Sequence, residues 1–115
     1  MPSLDELKRE KDKPVVIADH QGCIRYVNPR FEVVFGWKGS EVLGKPLSII
    51  IPTHLHDAHH LGFSRFLTTE RPTLLGQPWN LKAVSKDGRE FDAEHVISAE
   101  KVDGQWVFGA TIRPL

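Results

Sequence analysis

The chain has 115 residues, enough for one hydrophobic core and too few for two. Fifteen Lys and Arg balance fifteen Asp and Glu, so the basic surplus of a nucleic-acid binder is missing and no nucleic-acid partner is expected. A single cysteine, Cys23, excludes an internal disulfide. No apolar run approaches the length of a membrane span, and the charged start "MPSLDELKREKDK" is unlike a signal peptide, so a cytoplasmic domain without membrane insertion is expected.

In chain order, "SLDELKREKD" offers Ser3 as a helix N-cap followed by polar helix formers. Only Leu4 and Leu7 are apolar there, a pair too narrow to anchor a helix in a core, so a short cap or the end of a linker helix is predicted. "PVVIAD" (14–19) and "CIRYVN" (23–28) read as strands joined by the turn "HQG". Asn28 as N-cap and Pro29 at the first helical position open a helix that Gly36 closes. Ser40 and Glu41 suggest one more helical turn ending at Gly44, and "KPLSIIIP" leads into a helix running to about Thr69. Three strands follow, at 78–85, 90–98 and 105–112, with turns at "KDG" (86–88) and "VDG" (102–104). Two strands, several short helices and a three-strand meander make an α+β domain with one antiparallel sheet and helices grouped on one face.

This order, carried by "IADHQGCIRYVNPRFEVVFGW", "EVLGKPLSIIIP", "SKDGREFDAEHVIS" and a last strand ending "GATIRPL", resembles a PAS domain, a sensory module of signalling proteins. The resemblance spans residues 14–115 and leaves 1–13 as an N-terminal cap helix or linker. It implies a five-stranded antiparallel sheet with short helices packed on one face around a small pocket. It also implies a homodimer and a downstream output domain or kinase. Members of the family bind haem, flavin, other chromophores, small acids or nothing, so the site has to decide the ligand.

The cysteine motif of flavin photochemistry is missing, and one cysteine cannot make the CxxCH of covalent haem. Non-covalent flavin would leave Trp79 or Trp106 as a stacking partner. On a helical wheel begun at Leu55, Gly62 and Phe66 fall within about 20° of it, and Phe63 and Ala58 flank them. His59 falls at about 40°, inside this stripe, whereas His56 and His60 fall near its edge at about 100° and 140°. His59 is therefore predicted to face the interior, with Gly62 opening space beside it. On strand 90–98 the period of two sends Phe91, Ala93, His95 and Ile97 to one face, so His95 looks into the same pocket.

A narrower resemblance is to the haem-binding PAS domains of rhizobial oxygen-sensor kinases, through "HHLGFSRFLTTERPTLLG". It implies His59 as the proximal ligand of haem b, Arg65 near a haem propionate, and Leu74, His95 and Ile97 on the distal wall. Trp79 stands where that family has its distal arginine, and His95 where it has a leucine. With haem bound, a His59–Fe–His95 centre follows, suited to sensing redox state or a diatomic gas that displaces His95.

Other readings of the same residues stand beside it. The pocket holds a small molecule or no cofactor, with His59 bonded to a neighbour, or the two imidazoles act as a pH switch. His56 and His60, at i and i+4 with His54 near, form an edge expected to take adventitious zinc or nickel rather than to be a dedicated metal site, and "HLHDAHH" lacks the HExxH glutamate of a metalloprotease. Asp57 and Ser64 lie more than about 100° from His59 on the wheel. Asp92 and Glu94 oppose His95 across the strand, so no nucleophile–base pair forms and the domain is read as non-enzymatic. From a different class comes a ligand-free interaction module that only dimerises or docks a kinase.

Overall fold

The computed structural model describes residues 3–69 and 75–115, with side chains as far as Leu67 in the first span. Helix α1 (Leu4–Arg9) precedes strands β1 (Val15–Ala18) and β2 (Ile24–Val27) and helices α2 (Pro29–Phe35) and α3 (Gly39–Val42). Two 3-10 turns (Leu47–Ile50 and Thr53–Leu55) lead into α4 (His56–Thr69), followed by β3 (Pro78–Val84), β4 (Glu90–Val102) and β5 (Gln105–Pro114). The strands form one antiparallel sheet in the order β2-β1-β5-β4-β3, which is the expected α+β architecture. Strands β4 and β5 run further than their sequence suggested. Asp103 and Gly104 both take positive φ, 51° and 79°, as a two-residue hairpin loop requires, so pairing continues to Val102 and Gln105.

One face of the sheet, here the inner face, buries Val16, Ala83, Ala93 and Ile112 against Phe31 and Phe35 of α2, Val42 of α3 and Ile50. Phe31 and Phe35 stack at 4.5 Å, and Phe35 tilts against Phe91 of β4 at 5.5 Å. Asn28 caps α2 as its position predicts, accepting the Phe31 N–H at 2.9 Å. The same Oδ1 accepts the Val15 N–H at 2.9 Å, and Nδ2 donates to the Glu10 and Lys13 carbonyls. A buried amide with every hydrogen used thus ties the N-terminal segment to the core.

The outer face carries Val15, Ile17, Tyr26 and Val107 beneath α1. Contrary to the expectation from its narrow apolar pair, α1 is anchored: Leu7 is only 1% exposed. The seat is Gly109 of β5, where a Cβ would overlap Leu7 Cδ1, so the leucine lies directly on strand backbone. Ser3 Oγ caps the helix by accepting the Glu6 N–H, and Glu100 Oε1 of β4 accepts the Leu4 N–H at 2.9 Å. Among the described residues, no helix is long and apolar enough to cross a membrane.

Candidate functional site

Helix α4 lies over the inner face on an aromatic seam. Phe63 sits 4.9 Å from Phe108 of β5, and Phe66 meets Phe108 and Trp106 edge-on at 5.3 and 5.1 Å. Trp106 and Phe108 alternate along β5 with Ala110 and Ile112, which places all four on the inner face. The helix half of this seam follows from the apolar stripe. Its strand half was readable in the sequence as that alternation, but only the structure pairs the two.

One turn before Phe63 lies His59, half-buried, its ring 6.1 Å from Phe63 and 5.6 Å from His60. Burial holds its imidazole below the ordinary value of 6.5, and the neighbouring His60 and His56 push the same way. His95 lies on β4 directly between Trp79 of β3 and Ile112 of β5, partners that share its face. Its Nδ1–H donates to the Ala93 carbonyl at 3.1 Å, which fixes the tautomer and leaves the lone pair on Nε2. Burial lowers its pKa, partly offset by that hydrogen bond. Both imidazoles are therefore held toward the neutral form that ligates metals.

Neither the cleft at the end of α2 nor the one beside α1 is lined by His59 or His95, and the other sequence-derived residues lie in different surroundings. Phe66 belongs to the seam under α4. Ile97 is half-buried and accepts the Gly76 N–H at 2.9 Å, bringing the approach to β3 alongside β4. Trp79, 37% exposed, stands on the edge strand beside His95. Arg65 is on the exposed side of α4, and Leu74 lies outside the described residues. Gly62 is exposed, and a Cβ built on it meets nothing within 4 Å, so the space beside it opens outward. Ala58, expected to flank the stripe, is exposed as well.

The edge histidines differ from each other. His60 is exposed, whereas His56 is half-buried and donates Nε2–H to the Ile51 carbonyl at 2.7 Å. Among the candidate acids, Asp57 is exposed on α4, Asp92 pairs with Lys82 at 3.0 Å, and Glu94 with Arg113 at 3.2 Å. The two strand carboxylates are thus occupied in cross-strand ion pairs on the face away from His95. Among the described residues Trp106 Nε1 is buried without a hydrogen-bond partner, and two clefts open away from this region. One lies between the end of α2 and the β3–β4 turn, lined by Val34, Ser85 and Arg89; the other runs beside α1, lined by Leu4, Arg25 and Tyr26.

Comparison with known proteins agrees with this architecture. Over 102 residues, 88% of its length, the chain is 32% identical to an uncharacterized protein of Azorhizobium caulinodans. Over 101 residues it is 26% identical to the sensor protein FixL of Bradyrhizobium diazoefficiens. It spans only 14% and 20% of the length of these two relatives. The crystal structure of a PAS domain from Desulfitobacterium hafniense superposes with a TM-score of 0.76 at 15% identity, covering 94% of this chain and 97% of that one, which shows a shared fold. The sequence profile of the PAS fold matches residues 11–107, from the end of the α1 segment well into β5. The chain belongs to the PAS family of signal-sensing domains.

Proposed function

We propose that this PAS domain takes haem b on the inner face of its sheet, with His59 of α4 and His95 of β4 as the residues that would hold its iron. The observation that carries the reading is the pair of partly buried imidazoles, one on each element, both kept toward the neutral form. His95 already has the outer support typical of a ligand, an Nδ1–H given to a backbone carbonyl while Nε2 points away from it. Phe63, Phe66 and Ile97 would supply an apolar lining, and the unpartnered Trp106 Nε1 a donor for a polar group of the ligand.

When bound, haem supplies an iron centre that responds to redox state or to a diatomic gas. His59 and His95 would hold it from two elements, α4 and β4. Trp79 and His95, which the sequence resemblance sets where haem-binding oxygen-sensor kinases carry arginine and leucine, direct the reading away from a copied oxygen-sensing mechanism. A shift of His95 would travel along β4 and β5, whose pairing runs from Val102–Gln105 to Ala93–Pro114. The module acts without catalysis, in a cytoplasmic homodimer that passes the signal to an output domain or kinase.

Hemin titration of the purified chain tests this. A sharp Soret band is expected, lost in His59→Ala and shifted in His95→Ala; a flat spectrum after hemin loading overturns it. A second reading, a ligand-free module for dimerisation or kinase docking, is favoured by one observation. Phe63, Phe66, Trp106 and Phe108 already fill space beneath α4 with one another.

A further inference from the structure

We infer that the outer edge of α4 is a binding site for a first-row divalent transition-metal ion, held by His56 and His60. It uses neither His59 nor His95 as a ligand and is independent of the haem reading. The two residues are four apart on one helix, the spacing that presents two imidazoles on one face to a single ion. Their rings are 29° from parallel with centroids 6.3 Å apart. A metal bonded to one nitrogen of each ring needs centroids roughly 4.5–5 Å apart and must lie in both ring planes, so the exposed His60 side chain has to change rotamer to close the bite. The His60 side chain, like every helical side chain, leans toward the N-terminal turn where His56 lies.

A second observation points to a ligand role for His56. Its Nε2–H is given to the Ile51 carbonyl at 2.7 Å, in the loop before the helix. That bond assigns the proton to Nε2 and leaves the Nδ1 lone pair free, the arrangement that orients metal-bound histidines. His60 is exposed, so an ion reaches it from solvent without opening the fold. Among the described residues no third His, Cys, Asp or Glu completes a cluster, so the ion keeps water in its other positions and the site is open. Imidazole donors and an incomplete shell favour copper, nickel and zinc over calcium or magnesium, with Cu2+ the tightest of the three.

The position gives the ion a structural effect. Through His56 and its bond to Ile51 it secures the start of α4, and through His60 it spans the next turn. The half-buried His59 lies within that span. An ion that binds only the folded chain raises its thermal stability by mass action.

Titrating tag-free, haem-free protein with CuCl2, NiCl2 and ZnCl2 by calorimetry, with melting curves alongside, tests the site. One ion per chain is expected, Cu2+ binding tightest and each metal raising Tm. His60→Ala should weaken binding at least tenfold with the far-UV spectrum unchanged, because His60 is exposed. His56→Asn should weaken it to a similar extent, while His54→Ala and His59→Ala stay within about twofold of the parent. Parental affinity in His60→Ala, or no stoichiometric binding at all, overturns the site. Loss in His59→Ala as large as in His60→Ala also overturns it, by moving the ion to the inner face.

Discussion

The two faces of the sheet are packed by opposite means. On the outer face a six-residue helix is seated by one leucine resting on a glycine, and Leu7, Val15 and Ile17 are almost wholly buried. On the inner face beneath α4 a fourteen-residue helix is only half-buried, meets the sheet through aromatic edges, and keeps the His59 imidazole beside the seam. Packing chosen for stability alone would not place His59 and His95 where burial disfavours their charged forms. Under the proposed function, the outer seam serves structure and the seam beneath α4 serves sensing.

The largest effect that would sharpen this contrast is expected on the outer face. Leu7→Ala removes the buried anchor of α1 and should cost about 2–4 kcal/mol, read as a lower denaturant midpoint. A cost below about 1 kcal/mol would mean that α1 is a loosely attached flap, and the contrast between the faces would fail. Next comes Gly109→Ala. Its Cβ overlaps the leucine seat from the strand side, and lifting α1 should cost about 1–3 kcal/mol, with faster hydrogen exchange in residues 4–9.

The third expectation concerns acid and belongs to the inner face. Both histidines titrate below 6.5 in the fold and near 6.5 once unfolded, so below that pH the unfolded chain binds more protons. Their contribution is whole above pH 6.5 and is lost as the pH falls through the folded-state values. Melting curves at pH 8 and pH 5.5 should show a drop in Tm that His95→Leu reduces. An identical drop in that variant would mean that His95 titrates without cost to the fold.

Local chemistry was well written in the sequence. Ser3 and Asn28 as caps and Gly36 as helix stop each act over a few residues and appear as read, and the turn expected at 102–104 narrows to Asp103–Gly104. The seat of α1 was not legible. It depends on Leu7 meeting Gly109, two positions brought together only by the register of β1, β4 and β5. The inner face was legible in direction but not in depth. A helical wheel ranks residues by angle, yet it carries no information on how α4 rolls over Phe108 and Trp106. That roll leaves Ala58 and Gly62 outside, although Gly62 falls within about 20° of half-buried Leu55. Likewise, the wheel put His56 at the stripe's edge but contained nothing of the Ile51 carbonyl that holds it.

The smallest expected effect has the opposite sign and compares the two faces with one substitution. Gly62 sits in ordinary helical backbone, is exposed, and has open space where a Cβ would go. Gly62→Ala should therefore stabilise the chain by about 0.5–1 kcal/mol, because alanine restricts the unfolded chain and fits the helix better. The same change at Gly109 should destabilise it, so a pair of denaturant melts decides the matter. If Gly62→Ala instead lowers stability, then α4 packs more closely at that turn than its exposure shows. The space beside His59 would then be enclosed, as a pocket requires.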